Sequence, residues 1–185
     1  MKNKAEIGDI EVNYDVVHRK IKYPRLEIKT GNLILILPQG YNNHQELIEK
    51  HKKWIYNKIS IINSSNNKKL YNRTEEELKV LVESLVSDMV YQMGVIPGKI
   101  GFRKMKVRWG SCDRDGNLKF NKMMKYLPEN LIKYIIFHEM AHLLEFGHNA
   151  IFWNIIKSKY PHYSHQEEEL STYYFAIINY HKTYQ

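Results

Sequence analysis

The sequence is nearly devoid of cysteine, with Cys112 as the one example among 185 residues. A single thiol excludes a disulfide within the chain, and it also excludes a cysteine-rich zinc site. Such sparse use of cysteine is typical of proteins that work in a reducing compartment. We therefore predict a cytoplasmic protein.

Long apolar runs are also missing. No stretch approaches the roughly 20 apolar residues that a membrane-spanning helix needs, and Met1 to Lys4 lead into polar sequence. We expect neither a signal peptide nor a membrane helix. Hydrophobic residues still make up 43% of the chain, which suits a protein with one well-packed core.

Acidic residues are outnumbered, since 28 Lys and Arg stand against 20 Asp and Glu and leave a net charge of +8. A basic surface favours acidic partners, nucleic acid among them. The lysines are spread along the chain without an arginine-rich block, so a surface charge that merely keeps the protein soluble explains them equally well. Nucleic-acid binding stays open at this point, and no separate DNA-binding motif is evident.

The order of patterns along the chain predicts an α+β fold. Residues 1–62 combine alternating strands with a helical pattern and predict a small antiparallel β-meander plus a helix. Residues 63–73 are polar and predict a loop or linker, and residues 74–185 form the predicted core domain with a C-terminal helix. We expect the parts to make one compact unit.

Two local signals place elements inside the core domain. Thr74 and Glu77 form a capping box for a helix that runs to Met93 and ends at Gly94. Residues 100–107 and 117–121 alternate around a turn, so they predict a β-hairpin over 100–121.

The most informative stretch is residues 137–148, which contains the pattern H-E-x-x-H. His138 and His142 are four residues apart and share one face of a helix, where two imidazoles can bind one ion. Glu139 lies about 100° further round the helix. That position suits a base that accepts a proton from a water activated by the ion.

His148 is the predicted third ligand. On a straight helix it would lie roughly 80° away from the face of His138. It reaches the ion only if the helix ends and the chain folds back, and Gly147 would permit that turn by adopting the left-handed conformation. Three imidazoles leave one corner of a tetrahedral Zn²⁺ for water, which is the catalytic kind of site.

The competing interpretation of the motif is a surface helix whose histidines and glutamate face water. The flanking residues disfavour it, because residues 134–137 are all apolar or aromatic and Ala141, Leu143 and Leu144 follow. A helix that is apolar nearly all round is buried. Unpaired polar groups on it would cost several kcal/mol, and a bound metal removes much of that cost.

Together these motifs resemble those of the YgjP-like metallopeptidases, which are akin to the SprT-like zinc proteases. The matching segments are Arg108-Trp109-Gly110-Ser111-Cys112, Gly116-Asn117-Leu118, Leu127-Pro128, the zinc motif from His138 to His148, and Phe152-Trp153. The resemblance covers nearly the whole chain. It implies a zincin-like core with an active-site helix, one zinc ion on His138, His142 and His148, and Glu139 as the catalytic base.

Four further residues are candidates for the surroundings of the site. Glu145 is either a hydrogen-bond partner of a ligand histidine or half of an ion pair at the helix end. The spacing of the three histidines is also similar to that of the metzincins. However, metzincins have glycine at the position of Glu145, and the Met-turn that follows in metzincins is not evident here. Trp109 either lines a substrate cleft or packs in the core. Arg108 and Ser111 either flank a substrate strand or hydrogen-bond a loop.

Cys112 is a poor candidate for a nucleophile, because no base can be identified beside it.

The resemblance implies a zinc peptidase that acts on proteins or peptides. The 100–121 hairpin is the candidate for the sheet edge that binds the substrate strand. Two rivals remain. One is a zinc hydrolase of another amide or ester, and the other is a DNA-associated protease or a nucleic-acid-binding module with structural zinc.

Overall fold

The structure is a computed structural model that describes residues 3–29 and 32–183. It confirms the predicted α+β class, since both sheets and helices occur in the described residues. The chain folds as two compact units, one of residues up to Lys68 together with those from Tyr174 onward, the other of Lys69–Tyr173. The predicted domain boundaries at 62 and 73 stay a prediction.

The first unit contains a four-stranded sheet and one long helix. Its strands lie in the order β1-β2-β4-β3, and the elements are β1 (Asn3–Ile7), β2 (Ile10–Arg19), β3 (Arg25–Lys29), β4 (Asn32–Pro38) and α1 (His44–Ser65). One hydrophobic core contains the leucines of β4 and the buried apolar residues of α1, which are Leu33, Leu35, Leu37, Leu47, Ile48, Ile55 and Ile59.

The prediction that this sheet is wholly antiparallel was wrong. β1 with β2 and β3 with β4 are antiparallel, but β2 and β4 run parallel. The burial of the strands explains the order, because the nearly continuous apolar run of β4 is buried and takes a central position. The more polar β3 takes the edge. The predicted turn at Thr30 and Gly31 lies outside the described residues.

The second unit carries three strands, three helices and the start of a fourth helix. In chain order these are α2 (Glu75–Met93), β5 (Ile100–Arg103), β6 (Gly110–Cys112), β7 (Leu118–Asn121), a 3-10 turn (Lys122–Tyr126), α3 (Glu129–Ala141), α4 (Ala150–Lys159) and α5 (Tyr163–Thr183). None of the helices in the described ranges is long and apolar enough to cross a membrane.

The predicted capping box of α2 is confirmed. The Thr74 hydroxyl accepts a hydrogen bond from the Glu77 backbone N–H at 3.1 Å, and the Glu77 carboxylate accepts one from the Thr74 N–H at 2.7 Å. Gly94 ends the helix in the left-handed conformation, with φ of 67°. Both ends of α2 are therefore set by local sequence.

The predicted 100–121 hairpin needs a correction. β5 ends at Arg103 and pairs parallel with β7, whereas the antiparallel partner of β7 is β6. Asn121 accounts for the change, because its buried side-chain amide donates to the carbonyls of Met105 (2.9 Å) and Arg108 (2.8 Å). These bonds hold the intervening chain as a loop, and the loop returns as β6 at the edge of the sheet.

Candidate active site

The helix α3 supplies most of the candidate site, and it is buried on nearly every side. Nine of its thirteen residues are buried, including Ile132, Ile136 and Met140, which are fully enclosed. Glu139 is the one charged residue among the nine, with 7% of its surface exposed. The predicted burial of the helix is thus confirmed. A carboxylate on such a helix needs hydrogen-bond or charge partners, because burying it without them is costly.

The three predicted ligand histidines come together. One nitrogen from each of His138, His142 and His148 lies within 4.8 Å of the other two. The Nε2 atoms of His138 and His148 are 3.1 Å apart. A tetrahedral zinc ion with Zn–N bonds of 2.0–2.1 Å would separate two ligand nitrogens by about 3.3 Å. The separation of His138 and His148 is close to that value, and the candidate nitrogen of His142 lies within 4.8 Å of both.

The route by which the chain reaches His148 differs from the prediction. α3 ends at Ala141, and Gly147 does not adopt the left-handed conformation. Short-range hydrogen bonds turn the chain instead, from the N–H of Leu143 to the Met140 carbonyl and from that of Leu144 to Ala141, each at 3.0 Å. Tightening of the last helical turn in this way makes a left-handed glycine unnecessary.

Neighbouring groups orient the imidazole of His142. Its Nδ1 lies 3.3 Å from the Glu145 carbonyl oxygen, which leaves Nε2 for the ion. Its ring stacks on Phe152 of α4 at a centroid distance of 4.5 Å and an angle of 22°. Trp153 lies beside His148, with centroids 5.7 Å apart. The Phe-Trp pair of α4 therefore packs directly against the histidine cluster.

The electrostatic setting favours the neutral imidazoles of His138 and His142. Burial, reinforced by the neighbouring His142 and His148, lowers the pKa of His138 to about 4. Burial also lowers the pKa of His142, opposed by its bond to the Glu145 carbonyl. A neutral imidazole is the form that binds metal, so His138 and His142 need not lose protons to bind an ion near pH 7.

Glu139 is enclosed by the edge strand β6. Burial raises its pKa to about 7, opposed by the positive charge of Arg108 and by a hydrogen bond from the Cys112 backbone N–H. A Cβ atom added to Gly110 would lie only 2.6 Å from Glu139 Cγ and 2.7 Å from Oε1. Only glycine at 110 lets the strand pass so close to this carboxylate.

An open cavity of about 520 Å³ lies over the cluster. Its wall brings together most of the residues that the sequence singled out, and these are Arg108, Trp109, Ser111, Cys112, His138, Glu139, His142 and His148. The volume is within the range of sites that bind small molecules or short peptide segments. The site thus combines a ligand set, a buried carboxylate and room for a substrate.

The two roles predicted for Glu145 stay predictions, and its side chain and its backbone make different contacts. The side chain accepts a hydrogen bond from the Gly147 N–H at 3.2 Å, while the backbone carbonyl is the group that meets His142. The residue therefore shapes the turn between α3 and His148.

Two polar side chains of the cavity wall, those of Tyr134 and Glu167, were not among the candidates drawn from the sequence. The Tyr134 hydroxyl donates to Glu167 Oε1 at 2.5 Å, and the same oxygen is 4.0 Å from Nδ1 of His138. Tyr134 precedes His138 by one helical turn, which was a usable signal. Glu167 belongs to α5, and no local pattern connects it with the motif.

Comparison with known proteins identifies the family. The family model described as "YgjP-like, metallopeptidase domain" matches residues 63–173, which is more than half of the chain. The chain belongs to the YgjP-like metallopeptidase family and is a metal-dependent peptidase. The resemblance drawn from the motifs is confirmed.

Two solved structures are similar over a smaller part of the chain. The metallopeptidase zymogen abylysin of Pyrococcus abyssi is 26% identical, covers 48% of this chain and 88% of its own, and gives a TM-score of 0.43. The metallopeptidase zymogen jannalysin of Methanocaldococcus jannaschii is 23% identical, covers 48% of this chain and 84% of its own, and gives a TM-score of 0.42. No curated protein matches the chain at a significant level.

Proposed function

We propose that this protein is a zinc peptidase in which His138, His142 and His148 hold the ion and Glu139 is the general base. The observation that carries the proposal is the clustering of three imidazole nitrogens within 4.8 Å beside a buried carboxylate, on the wall of an open cavity. Membership of a metallopeptidase family supplies the reaction class.

The choice of zinc follows from the donor chemistry. The cluster offers imidazole nitrogens only, and a set of three such ligands suits Zn²⁺. Three protein ligands leave a position for solvent, which distinguishes a catalytic site from a structural one. When bound, the ion supplies an activated water and polarises the substrate carbonyl.

Glu139 carries the proton transfers in this proposal. Its carboxylate accepts the proton of the attacking water and passes it to the leaving amine. The Cys112 N–H and the close approach of Gly110 hold the carboxylate in one place. A fixed base needs little reorganisation during the reaction.

The edge strand β6 is the proposed binding site for the substrate backbone. It occupies one edge of the order β5-β7-β6, and all three of its residues line the cavity. A peptide that adds to this edge as a further strand would run past Glu139. The proposed substrate-binding edge is thereby narrowed from residues 100–121 to residues 110–112. The proposed substrate is a protein or peptide.

Fewer observations support the two rival functions. Hydrolysis of another amide or ester would use the same groups, so only a substrate screen separates it from peptide hydrolysis. Nucleic-acid contact, either by a DNA-associated protease or by a module with structural zinc, has the net charge of +8 as its support. That contact and the cytoplasmic location stay predictions.

The test combines metal analysis with a broad peptide-cleavage assay. We expect the parent to hold one zinc per chain, and Glu139→Gln to retain the zinc while cleaving at least about 100-fold more slowly. Glu129→Gln is the matched control, because it removes a carboxylate at the start of α3 that pairs with Lys133. Cleavage by Glu139→Gln at the parental rate would show that Glu139 is not the base.

A further inference from the structure

A tyrosine and a glutamate stand behind the first ligand histidine. Tyr134 is 1% exposed, and its hydroxyl donates to Glu167 Oε1 at 2.5 Å. A hydroxyl buried this deeply requires a partner, so Glu167 explains why an otherwise apolar part of α3 carries tyrosine rather than phenylalanine. The pair joins the active-site helix to the first turns of α5.

The carboxylate of Glu167 faces the nitrogen of His138 that the ion does not need. Nε2 of His138 points towards His148, at 3.1 Å, while Nδ1 lies 4.0 Å from Glu167 Oε1. A movement of about 1 Å would bring that oxygen within hydrogen-bonding distance of Nδ1. Metal-binding histidines commonly donate this second N–H to a carboxylate, which sets the tautomer and strengthens the ligand.

We propose that Glu167 is a positioning residue that orients His138 through Nδ1, and that Tyr134 holds the Glu167 carboxylate in place. This inference rests on the proposed function, because it assumes that His138 is a metal ligand. Glu167 needs no contact with substrate in this role. Its counterpart for the second ligand is the Glu145 carbonyl, which meets Nδ1 of His142.

The primary test measures zinc affinity by competition with a chromophoric chelator at pH 7. We expect Glu167→Ala to bind zinc about 10–100-fold more weakly than the parent. Glu167→Gln should lie between the two, because its amide oxygen still accepts the N–H but carries no charge. Glu168→Gln is the matched control, since it removes the same charge from the next position of α5 and should leave the affinity unchanged.

Tyr134→Phe tests the second half of the proposal. The substitution keeps the packing of the ring and removes only the hydroxyl, so zinc affinity should fall less than in Glu167→Ala. In the Glu167→Ala background the same change should cause no further loss, because the hydroxyl acts only through the carboxylate. Full and independent losses from the two variants would contradict this chain of contacts.

A spectroscopic readout separates positioning from general structural damage. In ¹⁵N-labelled, zinc-loaded protein, Glu167→Ala should shift the Nδ1–H signal of His138 and speed its exchange with water. The His142 signal is the internal control, since its Nδ1 partner is a backbone carbonyl and should not change. Equal shifts at both histidines would indicate a damaged site rather than a lost partner.

The outcomes that overturn the inference are distinct from those that overturn the proposed function. Unchanged zinc affinity in both Glu167 variants, or an equal loss in Glu168→Gln, would refute the role of Glu167. If Glu167→Ala lowers the melting temperature strongly, Glu167→Gln decides the question because it preserves side-chain shape. An active Glu139→Gln would refute the proposed chemistry while leaving the comparison of zinc affinities valid.

Discussion

The two units of the chain treat buried polar groups differently. Among the described residues of the first unit, the buried ones are apolar apart from Ser65 and Tyr14, and the Ser65 hydroxyl donates a hydrogen bond to the Ile62 carbonyl of its own helix. In the second unit Asn121 and Glu139 are buried as well. Burial of such groups is costly, so they persist where they hold a loop or a reactive group in place. The second unit, which carries the candidate site, therefore buries a carboxylate and an amide, whereas the polar groups buried in the described part of the first unit are hydroxyls.

The largest expected effect lies in the apolar core. Leu35 is fully buried, so Leu35→Ala should lower the free energy of unfolding by about 2–5 kcal/mol. Denaturant titration measures the loss, and the zinc affinity of the folded protein should stay at the parental value. Val17→Ala, at a position of the same sheet that is 36% exposed, is the control and should cost less than about 0.5 kcal/mol. A fall in zinc affinity with Leu35→Ala would break the distinction between the units.

The reactivity of the Cys112 thiol reports on its burial in the wall of the candidate site. Burial, with the negative charge of Glu139 as a second cause, raises its pKa from 9.0 to about 11. Two pKa units mean that about 100-fold less thiolate is present below pH 9 than in an unperturbed thiol. Alkylation by iodoacetamide at pH 8 should be slower by that order than in the urea-unfolded chain, and it should accelerate as the pH approaches 11. Equal rates in folded and unfolded protein would contradict the burial.

Gly110→Ala probes the contact between β6 and Glu139 of α3. The new Cβ would meet Glu139 Cγ at 2.6 Å, so the carboxylate must move. We expect kcat to fall about 10–100-fold with zinc content retained, because a base displaced by about 1 Å loses its alignment. Gly101→Ala is the control, since its nearest neighbour is 3.9 Å away. An unchanged kcat would show that the position of Glu139 tolerates movement.

The smallest expected effect is at the capping box of α2. Thr74→Ala removes the hydroxyl that accepts from the Glu77 N–H, and it should cost about 1 kcal/mol of stability. Thr74→Ser keeps the hydroxyl and should cost much less. Denaturant unfolding distinguishes the two variants, and kcat should be the same in both. A change in kcat would show that α2 influences the site after all.

Features that depend on contacts between residues close in sequence could be predicted from the sequence alone. The helical spacing of His138 and His142 put their imidazoles on one face, and Thr74 with Glu77 marked the start of a helix, because both depend on contacts within one turn. Apolar flanks also indicated that the helix carrying Glu139 is buried. The roles of these residues in catalysis stay predictions that the experiments above test.

What the sequence by itself determined is the α+β class, the shared helical face of His138 and His142, and the membership of a metallopeptidase family. The tertiary structure alone decided that β4 lies parallel to β2, that β6 passes over Glu139 and that Glu167 stands behind His138. The physical reason is the range of the interactions. Helical periodicity and capping act over three or four residues, whereas each of the other contacts joins segments whose approach is set by packing of the whole unit.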